Sequence, residues 1–231
     1  MASGFDAYIV CGGRGSRLGP VGAVVNKCLL PFDGKPIVQL VLEQLSSGFD
    51  CRSFTFLTGH LGGQVEGLVR SLPVSQSMSF VADDGRGTLP PLLSATAEAS
   101  GPFVYSHANI ALGRGAWEQT LTAAQRLEPG ESLMVVGDST MAPTHPHLDV
   151  AGDVVNSVGP ASPAHPIASV GLAIYDSGVF AGVRSDTGPD TPVEYGLSSD
   201  VLRAGRVRSI DIGSDWFHLE DLTSYRGFDA T

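Results

Sequence analysis

The chain has 231 residues, 42% hydrophobic and 16% charged, enough to bury a full core and too apolar for a disordered or collagen-like chain. Acidic residues outnumber basic ones 24 to 14, a formal net charge of −10, which excludes a protein built mainly to coat nucleic-acid phosphates or an anionic membrane. The 3 cysteines, at positions 11, 28 and 51, have neither zinc-site spacing nor disulfide-framework density, so reduced thiols and a cytoplasmic location are expected; no apolar run approaches the roughly 18 to 20 residues of a membrane span.

Short apolar or β-branched runs alternate with helical periodicity, as a sheet with crossover helices requires. The first strand is read at Ala7 to Cys11. Pro36 suits a first helical position, Ile37, Leu40, Val41 and Leu45 then share one face, and Gly48 stops the helix. A strand at Ser53 to Leu57, a weaker helix from Gly62 to Ser71 and a strand at Met78 to Ala82 follow. Thr88 caps a helix whose first turn tolerates Pro90 and Pro91. Phe103 to Ser106 reads as strand, Trp117 to Leu127 as helix and Leu133 to Val136 as strand. From Met141 to Ser162 the composition predicts loops and irregular strands; Ala168 to Tyr175 reads as strand, Val193 to Ala204 as helix and Val207 to Ile212 as strand. The expected architecture is one α/β domain over residues 1–231, a Rossmann-like nucleotide-binding unit with a mixed, mainly parallel sheet flanked by helices.

The strongest local motif is Gly12-Gly13-Arg14-Gly15-Ser16-Arg17-Leu18, directly after the first strand. Glycines let backbone N–H groups approach an anion, and arginines neutralise it, so the segment reads as a phosphate-binding loop. Leu18 stands where a dinucleotide fingerprint has its third glycine, and no Gly-Lys-Ser/Thr of a P-loop follows. Lysine occurs at positions 27 and 35 alone, so any lysine-dependent chemistry uses one of these.

Lys27 lies in Asn26-Lys27-Cys28-Leu29-Leu30-Pro31, and Gly34-Lys35-Pro36-Ile37 opens the helix. Together with the glycine-rich turn, these segments resemble the signature of the sugar-phosphate nucleotidylyltransferases. Thr58-Gly59-His60 with Gln64-Val65-Glu66, Gly87-Thr88, Phe103 to Ile110, Gly171 to Tyr175 and Asp215 to Leu222 are similar in register to later family segments. The resemblance implies transfer of a nucleotidyl group from a nucleoside triphosphate to a phosphorylated small acceptor, with pyrophosphate leaving and Mg²⁺ assisting. By position it implies Arg17 on the β- and γ-phosphates, Lys27 on the α-phosphate, and Gly12, Gly13, Gly15 and Arg14 around the nucleotide. Gly87 and Thr88 would meet base and ribose; His107, Gly171 and Arg184 would face the acceptor; Asp215 and Asn109 would hold the metal. No nucleic-acid or membrane partner is expected, and self-association is left open.

Three departures from the pattern stand out. Asn109, preceded by Ala108, occupies the place of the family's first metal aspartate, and an amide brings no negative charge. No lysine follows position 35 to hold an acceptor phosphate, so either an arginine such as Arg184 substitutes or the acceptor differs. Asn26 replaces a proline before the signature lysine, read as a change in backbone stiffness alone. Asp138 imitates the missing Gly-Asp motif but lies a strand and a helix too late. These departures motivate an alternative, a degenerate subunit that binds a nucleotide or nucleotide sugar without turnover.

The remaining singular residues have plain readings. His145 and His147 read as surface-loop histidines, Cys11 as packing, Asp83 and Asp84 as a turn, and Trp216 and Phe217 as core. No Gly-x-Ser-x-Gly elbow or Cys–His arrangement supports a hydrolytic nucleophile.

Overall fold

The computed structural model describes residues 4–83, 87–99, 101–162, 166–183 and 191–221. The first part of the chain forms β1 (Phe5–Val10), α1 (Pro20–Val24), β2 (Pro31–Phe32), β3 (Lys35–Pro36), α2 (Ile37–Gly48), β4 (Cys51–Thr58), α3 (Gly62–Ser71), β5 (Ser77–Ala82) and α4 (Leu89–Ala95). It continues through β6 (Phe103–His107), β7 (Ile110–Leu112), α5 (Arg114–Ala124), β8 (Ser132–Asp138), β9 (His147–Ala151) and β10 (Val154–Gly159). β11 (Ile167–Tyr175), α6 (Ser199–Arg203), β12 (Val207–Asp211) and β13 (Trp216–His218) complete it.

Nine strands make one sheet in the order β5-β4-β1-β6-β11-β8-β12-β10-β9. Side chains alternate across β1: Ala7 and Ile9 enter a core shared with Val41, Leu45 and Val65 of α2 and α3, while Tyr8 and Val10 enter a second core with Leu89 and Leu92 of α4. Both faces are therefore covered, which is why β1 runs apolar without alternation from Ala7 to Val10. Each fully buried Leu, Ile or Phe side chain contributes roughly 1.5–3 kcal/mol to this burial. Gly48 lets α2 end against α5: a Cβ there would lie 2.5 Å from Trp117 Cζ2, and Phe49 meets the same indole edge-on at 5.4 Å.

The sheet is mixed but not mainly parallel, which corrects the expectation. The β5-β4-β1-β6 half is parallel throughout, as is β8 with β12, giving four parallel pairings. Five antiparallel pairings, β6–β11, β11–β8, β11–β9, β12–β10 and β10–β9, occupy the other half. The cause lies in 141–162, expected to be largely irregular: a tight turn joins β9 to β10 there as a hairpin at the sheet edge, and β11 then returns antiparallel between β6 and β8.

Two helix boundaries also differ from the sequence reading. The helix expected from Val193 to Ala204 divides into a 3₁₀ turn at Val193–Gly196 and α6, because Ser198 starts a new helix by accepting the N–H of Asp200 at 3.3 Å. α5 begins earlier than periodicity suggests, since a distant carboxylate, that of Asp215, accepts the N–H of Ala116 at 2.9 Å in its first turn.

The registers Val10↔Leu57 and Val10↔His107 align the carboxyl ends of β1, β4 and β6. Cys11 to Gly13, Gly59 to His60, and His107 to Ala108 therefore emerge together at one edge of the sheet, where ligands of open α/β sheets are received.

Candidate active site

The glycine-rich segment leaves β1 in a tight fold of backbone on backbone. A Cβ on Gly59 would lie 2.7 Å from the Gly12 carbonyl oxygen, and one on Gly22 would lie 2.1 Å from that of Gly15. Gly15 itself has φ +61°, a left-handed conformation that opens the short 3₁₀ turn Ser16–Leu18. Leu18, in the third glycine's place, is fully buried and anchors the loop to the core, while Gly13, Arg14 and Arg17 stay exposed. The carboxylate of Asp83 stands against Gly12, with Oδ2 at 3.3 Å from a Cβ built there.

Asn26 has more work than backbone stiffness, the role its replacement of proline suggested. Its buried side chain donates from Nδ2 to the carbonyls of Cys11 at 3.0 Å and His60 at 2.8 Å, and its Oδ1 accepts the N–H of Cys28 at 3.0 Å. Its own N–H donates to Gln64 Oε1 at 3.0 Å. One carboxamide thus joins the glycine loop, the turn after β4 and the turn that carries Lys27. A Cβ on Gly13 would lie 3.4 Å from Lys27 Cε and 3.7 Å from Nζ. Burial lowers the Lys27 pKa, against the opposing pull of Cys28 and Glu220. An anion brought to this ammonium therefore meets a cation already stripped of much of its water.

Arg17, more than half exposed, points over the same space and pairs with Glu220, whose side chain is only 9% exposed. Glu220 also accepts a hydrogen bond from the Thr144 hydroxyl. Arg17, Lys27 and the anion Glu220 therefore share a single neighbourhood.

Behind them stand three imidazoles. His107, at the end of β6, shares a 2.8 Å hydrogen bond from Nε2 with the Tyr105 hydroxyl, and Gly171 packs on its ring, since a Cβ there would lie 2.9 Å from Cγ. The side chain of Thr88, at the start of α4 after Gly87, interacts with Tyr105 and so links the Gly-Thr turn to His107. His145 lies 5.5 Å from His107 and 4.3 Å from His218, ring centre to ring centre. Its Nδ1 donates to the Ser169 carbonyl at 2.7 Å, which leaves Nε2 the acceptor in the neutral ring. His218 Nδ1 is buried, has no hydrogen bond and faces Glu220 Oε2 at 3.9 Å. Burial first, then His145 and Lys27, holds both His107 and His218 well below the usual imidazole pKa. Burial likewise lowers His145.

His145 and His147 are thus buried, not surface-loop residues. His147 takes no part in the cluster; its Nδ1 accepts the N–H of Ser162 at 2.9 Å beside the sheet-edge hairpin. His218 went unmarked in the sequence, although its spacing of two from Trp216 in a short strand places both on one face. Arg184 and Asp84 lie outside the described residues.

Asn109 and Asp215 are not brought together. The β7–β13 ribbon pairs Ile110 with His218, Ala111 with Phe217 and Leu112 with Trp216, so the two residues sit at its opposite ends, roughly 13 Å apart along the strand direction. Asn109 is buried and donates from Nδ2 to the Leu219 carbonyl at 2.8 Å. Asp215 is exposed and committed to the first turn of α5, where even a Cβ on Gly113 would overlap its carboxylate. Asp138, half-buried, accepts the N–H of Thr140 at 2.9 Å in its own turn. Mg²⁺ is held through one or two carboxylates together with waters and phosphate oxygens, and Asn109 and Asp215, at opposite ends of the ribbon, do not fit it as a pair. Among the described residues no three His, Cys, Asp or Glu side chains form a group that could hold a metal ion.

A cavity of about 290 Å³ between α2 and the segment before β5 is lined by Gln39, Leu42, Glu43, Val74 and their neighbours, and shares no residue with this centre. Among the described residues no helix is long and apolar enough to cross a membrane.

Solved structures with the same fold cover nearly the whole chain. A Bacillus anthracis protein assigned as a glucose-1-phosphate thymidylyltransferase superposes with a TM-score of 0.81 at 18% identity, covering 98% of this chain and 94% of that one. The inositol-1-phosphate CTP transferase from T. maritima gives 0.78 at 15%, covering 99% and 95%. A UDP-glucose pyrophosphorylase complexed with UDP-glucose gives 0.79 at 13%, covering 97% of each chain. No curated protein matches the sequence. The MobA-like NTP transferase domain matches residues 7–137, a span that begins with β1, contains the glycine-rich loop and Lys27, and ends in β8. The chain belongs to the MobA-like NTP transferase family.

Proposed function

We propose that the chain, acting as one domain, transfers a nucleotidyl group from a nucleoside triphosphate to a phosphorylated small acceptor and releases pyrophosphate. The observation that carries this reading is the placement of Lys27 against Gly13, with Arg17 over the same space, at the carboxyl end of β1. Attack of an acceptor phosphate oxygen on the α-phosphorus is opposed chiefly by charge repulsion. Fixed cations lower that barrier without solvent reorganisation. Lys27 would meet the α-phosphate, and Arg17, on leaving Glu220, the departing β- and γ-phosphates.

The amides of Gly12, Gly13 and Gly15 would line the nucleotide beside Arg14, with Gly87 and Thr88 at the nucleoside. His107 and Gly171 would border the acceptor, and Arg184 would supply its counter-charge. No step is assigned to a divalent cation, because the residues expected to hold one do not fit it. Three buried, reduced cysteines agree with action in the cytoplasm.

A second reading, nucleotide binding without turnover, is favoured by the same failure of Asn109 and Asp215 to converge. Pyrophosphate release measured for each nucleoside triphosphate against sugar phosphates and other phosphate acceptors, beside calorimetric binding, separates the two. Release with one pair supports transfer. Binding without release for every pair supports the second reading.

A further inference from the structure

We infer that, among the described residues, this chain offers no ligand to a divalent cation and grips a nucleoside triphosphate directly through Arg17 and Lys27, so that the nucleotide binds as well without magnesium as with it. The inference rests on the nucleotide-binding reading of the loop and extends it to the species that is bound.

Magnesium selects hard oxygen donors in near-octahedral array. Among the described residues, the oxygen donors beside the histidines are already committed, and the Asp83 carboxylate is set against the Gly12 backbone on the glycine loop. Asp215 accepts the N–H of Ala116 on the far end of the β7–β13 ribbon. The Asn109 amide is held by the Leu219 carbonyl. Glu220 does face the centre, but its carboxylate is closed on Arg17 and Thr144. Glu194, fully buried, accepts the Ser169 hydroxyl at 2.6 Å.

What remains facing Lys27 and Arg17 is imidazole, from His107, His145 and His218. Imidazole nitrogen suits zinc or copper rather than magnesium, and His145 is already turned to the Ser169 carbonyl. A divalent cation placed here would meet two fixed cations before it met a free carboxylate. A metal-free triphosphate, more negative than its magnesium complex, would meet the same two cations with greater attraction.

The test is calorimetric titration of the full chain with ATP, GTP, CTP and UTP in excess EDTA and then in excess Mg²⁺, together with paramagnetic resonance of Mn²⁺ mixed with the nucleotide-free protein. The nucleotide that binds should do so in EDTA within about threefold of its affinity in Mg²⁺, and the Mn²⁺ signal should stay that of the free ion. Arg17→Gln, a change at an exposed position that should not disturb folding, should weaken binding in EDTA on the order of tenfold. A loss of tenfold or more on removing Mg²⁺, capture of Mn²⁺ by the protein, or unchanged affinity of Arg17→Gln in EDTA would each overturn the inference while leaving the nucleotide-binding reading in place. Binding of no nucleotide under either condition would overturn both.

Discussion

Arg17 and Glu220, 203 positions apart in sequence, close an ion pair at the rim of the glycine-rich loop. Glu220 thereby occupies the place beside Arg17 that an incoming phosphate would need. Glu220→Gln removes the competing charge, and because Arg17 is largely exposed the gain is modest, about threefold in nucleotide affinity. Calorimetry on the variant checks this; weaker binding would show that Glu220 supports the ligand rather than competing with it.

Asn26→Ala would strip partners from the Cys11 and His60 carbonyls and the Cys28 N–H in one step. Buried polar groups left unmade cost roughly 1–3 kcal/mol each, and partial access of water reduces the sum to about 3 kcal/mol. Thermal unfolding should then begin roughly 6–12 °C lower. Retention of the native melting temperature would mean that the loop is held by its backbone packing alone.

Asn109→Asp looks, from sequence, like restoration of a metal ligand. The structure gives the opposite expectation, because the new carboxylate would face the Leu219 carbonyl that Asn109 Nδ2 now donates to at 2.8 Å. Two acceptors opposed in a buried site destabilise by about 1–3 kcal/mol. Denaturant unfolding of the variant should show that loss with no added stability from Mg²⁺; stabilisation by the ion would reject this assignment.

Stability should also depend on pH in the range where imidazoles titrate. His107 and His218 have pKa values well below the ordinary 6.5 in the folded chain, through burial first and then His145 and Lys27. The stabilisation is therefore complete above about pH 6.5 and declines as pH falls below it, because the unfolded chain takes up the protons first. Melting temperature should drop between about pH 7.5 and 5.5, and His218→Phe should flatten that slope. A slope equal in wild type and variant would remove His218 from the account.

Much of the fold was legible because it is written locally. The apolar run of β1, the glycines after it and the periodicity of α2 are each contained in a dozen residues or fewer, and Lys27 and Arg17 are singled out by the family resemblance of the segments that hold them. Contacts set by the tertiary fold were not legible. The Asn26 side chain meets carbonyls 15 and 34 positions away, and Asp215 shapes a helix 99 positions before it. The histidine cluster is assembled from β6, the segment before β9 and β13. Alternation within β13 could have turned His218 inward, but nothing local names its neighbours. The parallel bias of the expected sheet came from reading alternating strands and helices up to β6 and extending the pattern past the point where β11 reverses it.

The central claim is nucleotidyl transfer at the loop that brings Arg17 and Lys27 together. It is tested most directly by incubating the chain with α-labelled nucleoside triphosphates and candidate phosphorylated acceptors, and measuring label in the acceptor together with released pyrophosphate. The account predicts one pyrophosphate for each nucleotidyl group transferred with at least one pair, and a fall on the order of 100-fold or more in Arg17→Ala and in Lys27→Ala. Label transfer undiminished in both variants, or nucleotide bound with no transfer to any acceptor, would contradict it.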